Sequence, residues 1–412
     1  MPYYIGDVIK DHRELIARTP EEFQKKHQIA IRLKHEAQAI DRERTRVRVL
    51  ERESGRESWL PYDRLVIATG ARSKKLGIPG EETGNVFTLK EMSDGLRLRN
   101  FIDQSHPKKA VIIGAGYISL EVAEALRERR IETTLLYRRK VPYSGLEPEV
   151  GGLIVRELED HGVRYIGEIQ PNAFTVSNGR ALEIITDQGA FPADLFFIGA
   201  GVAPNSEIAR EAGIVIGRTG GIQVDAFMAT NDPLIFSAGD CCEKYHRVID
   251  QSVLAPLGDI ANKEGRVAGE NALGGNAQFH GIVGAACVKV FDLEIGLAGV
   301  TEAQAGGLGY KVISQLVEAS SRVGIYPGSR ETLLKIVADQ DSGRLLGGNW
   351  IGRDGEARKI NVLATALYNR MTLEEISRLD LAYAPPFSPV WDPLLIAANL
   401  LKRKVVRPSP KG

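Results

Sequence analysis

The chain has 412 residues, with 53 basic and 53 acidic side chains and 43% hydrophobic residues. That length accommodates two or three domains with cores of their own, and the balanced charge argues against nucleic acid or an anionic membrane as partner. Three cysteines are too few for a disulfide scaffold, and no apolar run reaches the roughly 18 to 20 residues of a membrane span.

The N-terminal MPYYIGDVIKDHREL has neither the basic flank nor the apolar core of a signal peptide, so a cytoplasmic protein is expected. The seven histidines are scattered without HxH, HxxE or HExxH spacing, and no metal site is expected. Thr19 is a predicted N-cap, with Pro20 at the first helical position and Glu21 and Glu22 in the first turn of a helix towards Lys26. Ile29, Ile31 and Leu33 alternate, as do Thr45, Val47 and Val49, and a turn at Glu53-Ser54-Gly55 leads to Trp59 and Leu60. This predicts a meander of short strands. Leu65 to Ala68 is predicted as a buried strand ending at Thr69-Gly70. A loop rich in Gly, Pro and charge follows, then a helix through Arg97 to the His106-Pro107 break.

Residues 110–140, AVIIGAGYISLEVAEALRERRIETTLLYRRK, carry the strongest signal. Ala110 to Ile113 reads as a strand buried on both faces, and the chain turns at once through Gly114 and Gly116. A helix over about Ile118 to Arg129 places Ile118, Val122, Ala125 and Leu126 on one stripe, and Thr133 to Tyr137 is the parallel partner strand. Gly114 permits the tight turn, Gly116 lets a pyrophosphate approach the backbone, and the helix N-terminus offers free N–H groups and a positive dipole end. This is the pattern of a dinucleotide site. Two positions depart from it. Ser119 stands at the third glycine position. The acid that would bond the ribose 2′-hydroxyl of NAD is replaced by Tyr137, Arg138, Arg139 and Lys140, which reads either as a 2′-phosphate site favouring NADPH over NADH or as a solvated basic turn.

Further on, DLFFIGAG is a strand of the same sheet with Gly199, Gly201 and Pro204 at its C-terminal end, where open α/β sheets bind ligands. LIFSAGDCC is an apolar strand ending in Gly239-Asp240, a carboxylate at a sheet tip. LGDIANKEGRVAGENALGG, from Leu257, is a helix of two to three turns or more closed by Gly274-Gly275, its N-terminus a second ready dipole site. From Phe279 the texture changes to strands (CVKVFDLEIGLAGV, YKVISQLVEA, LLKIVAD, LLGGNWIG). Helices follow from Ala357 to Tyr368 and at Thr372, and then the proline-rich AYAPPFSPVWDPL. Strands followed by helices argue a separate α+β domain, and the tail KRKVVRPSPKG is expected to be disordered.

PYYIG, LVIATGA, VIIGAGYISLEVAEAL, GVAPN, IFSAGDC, ANKEGRVAGENALGG, VKVFDLEIGLAGVTE and LDLAYAPPFSPVWDP occur in this order over nearly the whole chain. In these runs the sequence resembles the flavin-dependent pyridine nucleotide-disulfide oxidoreductases, and specifically the branch of coenzyme A disulfide reductases, NADH oxidases and NADH peroxidases. The resemblance implies an α/β fold of two nested Rossmann-like nucleotide-binding domains, the first incomplete, plus a C-terminal α+β dimerisation domain. The expected segments are 1–106 and 231–278 for FAD, 107–230 for NAD(P)H and 279–403 for dimerisation, with a tail at 404–412. It implies that Gly114, Ala115, Gly116, Tyr117 and Ile118, with Tyr137, Arg138, Arg139 and Gly201, serve NADPH or NADH, Tyr117 lying over the flavin. Ala68-Thr69-Gly70 and Gly239-Asp240 become FAD contacts, the aspartate at the ribityl chain, with Leu257, Gly258 and Ala261 near the flavin ring. Tyr117 and Tyr383 are the implied catalytic positions, Tyr383 reaching the thiol substrate site of the other subunit of a homodimer.

The chain departs from the family pattern at its start. The first βαβ unit, with its glycine loop and the reactive cysteine before PYYIG, is not in this sequence. Cys241 and Cys242 are adjacent, with Cα atoms about 3.8 Å apart, too close for an unstrained disulfide. Cys287 sits among apolar strand residues and is expected in the core. Three readings follow. One is a truncated and impaired NAD(P)H:flavin reductase of the coenzyme A disulfide or persulfide type. Another is a non-catalytic nicotinamide-nucleotide-binding protein. The third is a flavin reductase passing electrons to oxygen or a small redox protein without a thiol.

Overall fold

The structure, a computed structural model, describes residues 1–143 and 145–406. Its centre is a five-stranded parallel sheet in the order Val86–Phe87, Leu195–Ile198, Lys109–Ile113, Glu132–Leu136, Val163–Ile166. Alternate residues of these strands enter different cores, as a period of two requires. Ala110, Ile112, Leu135 and Phe197 pack against Leu120, Val122, Ala123 and Leu126 of the Tyr117–Glu128 helix and against Ile154 and Leu158 of the Pro148–Asp160 helix. Val111, Ile113, Leu136 and Phe196 pack on the other side against Phe174 and Ile184 of an antiparallel meander, Pro171–Ser177, Arg180–Thr186 and Gly189–Pro192. Each wholly buried Ile, Leu or Phe removes enough apolar surface from water to contribute about 1.5 to 3 kcal/mol, so both faces hold the sheet.

The second nucleotide unit is built from separated pieces. Leu65–Ile67 pairs in parallel with Ile235–Ser237, and an antiparallel meander of His35–Asp41, Arg46–Glu51 and Arg56–Pro61 lies in the chain before them. Ala71–Ser73 pairs antiparallel with Val202–Pro204, joining this unit to the end of the central sheet. The Gly258–Ala272 helix follows, with 15 residues.

The C-terminal sheet is antiparallel, in the order Ala286–Val290, Leu293–Gly299, Leu345–Gly352, Glu331–Asp339, Val312–Ser320. One face takes the Ile360–Tyr368 and Pro393–Leu401 helices around Trp350, Leu363 and Leu394. Val288, Val290, Leu293, Ile295 and Ile351 share a core with the Tyr117–Glu128 and Pro148–Asp160 helices, so the sheet is a wall of the dinucleotide unit as well.

Local signals placed several elements closely. Thr19 and Glu22 form a reciprocal capping box at the Pro20–His27 helix, and Thr372 and Glu375 do the same at Leu373–Ile376. Others misled. Ile29, Ile31 and Leu33 alternate but lie in no strand and are exposed; the strand that follows starts only at His35 and pairs with Arg46–Glu51. Leu65–Ile67 is buried on one side only, with Val66 38% exposed. The expected tail from 404 begins too early. Lys402–Lys404 forms a 3-10 turn and the Val406 N–H bonds to the Gln340 carbonyl at 3.0 Å. Residues 407–412, the rest of that tail, lie outside the described residues.

Candidate nucleotide and flavin site

The glycine turn divides its work between two residues. Gly114 has φ +107°, and a Cβ there would lie 2.3 Å from the Gly199 carbonyl oxygen, so the residue is needed for the fold. Gly116 has ordinary φ −77° and a Cβ on it would meet nothing within 4 Å, so its backbone borders open space. The helix beginning at Tyr117 has no side-chain cap, which leaves its first N–H groups for a ligand. Ala115 is fully buried and its carbonyl accepts the Tyr143 N–H at 3.0 Å.

Gly116, Tyr117 and Ile118 line a cavity of about 360 Å³ whose other walls include Ser119, Gly199, Gly201 and Asp240. This cavity brings residues 116–118 together with position 240, which sequence reading had assigned to separate units. Burial pushes the Tyr117 phenol above its ordinary pKa, and the Asp240 and Glu121 carboxylates push the same way, so the hydroxyl stays protonated. The Tyr143 ring meets it edge-on at 6.4 Å. Tyr137 is half-buried, and Arg138 and Arg139 are exposed at the end of the second parallel strand, with no ion-pair partner among the described residues.

A second group of turns belongs to the other unit, and of its residues Asp240 lines this cavity. The Thr69-Gly70 turn after Ala68 is fastened by Asn205, whose N–H donates to the Gly70 carbonyl and whose Nδ2 donates to the Thr69 carbonyl, each at 2.9 Å. Gly70 (φ +68°) and Gly258 border open space as Gly116 does. At Gly239, φ +87°, the N–H donates to the Glu264 Oε2 at 2.9 Å, and a Cβ would come 3.7 Å from that of Ala261. The turn therefore sits on the helix that Leu257 caps. Asp240 is ion-paired to Lys90 at 2.7 Å.

Several of these groups escaped sequence reading. Lys90, Tyr143 and Asn205 act on residues far from them in the chain, and Asn205 alone lay within a quoted motif. Glu264 is wholly buried beside Lys244 at 3.3 Å, its carboxyl pushed up by burial and drawn back by that lysine. Glu157, His161 and Asp292 also converge, although their spacing carried no metal signal. Glu157 already accepts hydrogen bonds from Arg353 and the Asp292 N–H, and His161 stacks on Phe291 at 4.1 Å, so local contacts account for them.

The thiols are placed otherwise than expected in one case. Cys241 and Cys242 are buried and free, their Sγ atoms 3.8 Å apart. Hydrogen bonding from Cys242, and then Ser237 and Thr69, draws the Cys241 thiol down, while the Cys241 neighbour and burial push Cys242 up. Cys287 is not in the core. It faces outward from an edge strand, because its neighbours Val288 and Val290 take the inward positions, and it lines a separate cavity of about 830 Å³ with Lys263 and Tyr368. Tyr383 is 48% exposed on a loop that also exposes Phe387, Val390 and Trp391, and it does not line the Tyr117 cavity.

The model of the pyridine nucleotide-disulphide oxidoreductase family matches residues 3–255, and that of its dimerisation domain matches residues 285–393. The chain belongs to the pyridine nucleotide-disulphide oxidoreductase family. It is 36% identical over 400 residues to the NAD(P)H coenzyme A polysulfide/persulfide reductase of Pyrococcus horikoshii, covering 97% of this chain and 88% of that one. It is 31% identical over 394 residues to a coenzyme A disulfide reductase of Staphylococcus aureus, 94% of this chain and 87% of the relative. Its fold superimposes with a TM-score of 0.94 on an NAD-dependent persulfide reductase from A. fulgidus, at 36% identity, over 98% of this chain and 75% of that chain.

The mixed α/β architecture with its C-terminal dimerisation domain is that of the family, an FAD-dependent and NAD(P)H-dependent group of oxidoreductases. The residues present fit these cofactors. Open space above the backbone at Gly116, Gly70 and Gly258 is where a phosphate or ring can approach without meeting a side chain, and an uncapped helix N-terminus adjoins Gly116. Among the described residues no helix is long and apolar enough to cross a membrane.

Proposed function

We propose that the chain passes electrons from NADPH through FAD to a coenzyme A disulfide or a persulfide, working as a homodimer. The observation that carries this reading is the cavity in which Gly116, Tyr117 and Ile118 face Asp240, since it puts the dinucleotide turn beside the turn assigned to the flavin. The printed names of the Pyrococcus and Staphylococcus relatives support the acceptor. FAD, when bound, supplies two-electron exchange between a nicotinamide and the acceptor.

The protein's own residues bind and orient. Gly116 and the N-terminus of the Tyr117–Glu128 helix take the pyrophosphate, with Ile118 as a wall, Gly201 opposite and Ala115 buried beneath the turn. Tyr117, kept neutral, covers the meeting place of the two cofactors. Tyr137 bounds the adenosine end, and Arg138 and Arg139 donate to the 2′-phosphate of NADPH. Ala68, Thr69 and Gly70, then Gly239 and Asp240, hold the flavin chain, and Leu257, Gly258 and Ala261 lie at its ring. Tyr383 serves the acceptor bound to the partner subunit. Residues 1–106 and 231–278 are assigned to FAD, 107–230 to NAD(P)H and 279–403 to the dimer contact.

The placement of the thiols favours a second reading, in which electrons leave to oxygen or a small redox protein. Cys241 and Cys242 are sealed from solvent, and Cys287 lines a different cavity. Anaerobic NADPH oxidation by FAD-loaded protein, with coenzyme A disulfide or coenzyme A persulfide as sole acceptor, tests the first reading. Turnover of either supports it. Bleaching of the flavin without turnover, followed by steady oxygen uptake in air, replaces it with the second.

A further inference from the structure

Ser119 is 1% exposed, and its Oγ has no hydrogen-bond partner. A buried hydroxyl left unpaired is costly, so natural structures rarely keep one without a use. A helical serine ordinarily bonds back to the carbonyl four residues earlier, here that of Ala115, but the Ser119 Oγ makes no such bond, and the Ala115 carbonyl accepts the Tyr143 N–H. The side chain points at the end of the neighbouring strand. A Cβ on Gly199 would lie 1.9 Å from the Ser119 Oγ, so this hydroxyl occupies space left by a glycine at the end of the neighbouring strand. Ser119 and Gly199 both line the 360 Å³ cavity.

We propose that the Ser119 hydroxyl donates a hydrogen bond to a ribose or phosphate oxygen of the nicotinamide-nucleotide half of NAD(P)H. It is then a positioning residue for the dinucleotide, in a place where the sequence pattern asks only for a small packing residue. The adenosine half is excluded as its partner. That half is assigned to the end of the next strand, at Tyr137 to Arg139, which are not among the residues lining the cavity. The inference rests on the reading of this cavity as the NAD(P)H site.

The test is calorimetric titration of the FAD-loaded protein and its Ser119→Ala and Ser119→Gly variants with NADP⁺, NAD⁺ and 2′,5′-ADP, which lacks the nicotinamide nucleotide. Both variants are expected to bind NADP⁺ and NAD⁺ about 5- to 10-fold more weakly and 2′,5′-ADP as tightly as the wild type. Melting temperature and flavin content are expected to hold or rise, since the variants remove an unpaired buried oxygen. Unchanged NADP⁺ affinity, or equal weakening of 2′,5′-ADP, overturns the assignment of Ser119 and leaves the site reading standing. A wild type that binds none of the three ligands overturns both.

Discussion

Lys90 Nζ donates to the Asp240 carboxylate at 2.7 Å, across 150 residues of sequence. The pair joins the segment before the Met92–Ser105 helix to the turn after Ile235–Ser237, and both side chains are mostly buried. Lys90→Met removes the cation and leaves Asp240 free to swing or to repel a nearby phosphate. The expected outcome is a several-fold weaker FAD affinity, read by apoprotein reconstitution, with a stability loss of about 1 kcal/mol. Wild-type FAD affinity in the variant would show that the pair has no part in holding Asp240.

The two glycines of the turn are expected to fail differently. Gly114→Ala places a methyl group against the Gly199 carbonyl at positive φ, and should destabilise by on the order of 2 kcal/mol in chemical denaturation. Gly116→Ala meets no protein atom within 4 Å and has a permitted φ, so its melting should match the wild type while NADP⁺ binding falls at least 10-fold. Equal melting and equal binding losses in the two variants would contradict this division.

Arg138 and Arg139 are exposed and carry the preference for the 2′-phosphate in the proposed function. One charge-assisted hydrogen bond is worth about 1.5 to 3 kcal/mol, so Arg138→Ala with Arg139→Ala should lower the ratio of kcat/KM for NADPH over NADH by 10-fold or more. A wild-type ratio near one removes the NADPH preference.

Lys335 is buried among Glu147, Glu149 and Glu302, at 3.0 to 3.2 Å from each. It thereby fastens the C-terminal sheet to the start of the Pro148–Asp160 helix. Burial alone lowers the lysine, but hydrogen bonds and charge from Glu149 and Glu147 more than offset this and leave it raised above 10.5. Ser314 and Lys335 hold Glu302 below its ordinary 4.5. The depressed Glu302 stabilises the fold above 4.5 and ceases to do so as pH falls through its lower folded value. The raised Lys335 stabilises fully below 10.5 and less as pH climbs through its higher folded value. Thermal melts of Glu302→Gln should therefore lie below those of the wild type at neutral pH and converge with them in acid. Lys335→Met, which strands the buried Glu147, should cost about 3 kcal/mol.

Thiol titration separates the cysteines. Native protein should expose Cys287 alone, and react slowly near neutral pH because burial and Glu294 raise that thiol. Three thiols should appear on unfolding. Rapid reaction of a second thiol in the native state would mean that Cys241 or Cys242 opens to solvent.

The dinucleotide turn, the capped helices and the antiparallel C-terminal strands were legible in the residues because each depends on neighbours a few positions away. Glycine conformation, capping and hydrophobic period are local properties of the chain. The runs from PYYIG to AYAPPFS likewise identified the family, and with it the cofactors. Pairing was not legible. Ile29, Ile31 and Leu33 alternate like a strand and lie in none, and Cys287 looks like core until its strand is found at a sheet edge. The contact of Ser119 with Gly199, the Lys90 salt bridge to Asp240 and the buried Lys335 cluster bring together residues between 33 and about 190 positions apart. Such contacts depend on how separated strands and helices stack, where burial raises the cost of an unmet charge or hydroxyl. That cost is a property of the packed interior, and no window of sequence contains it.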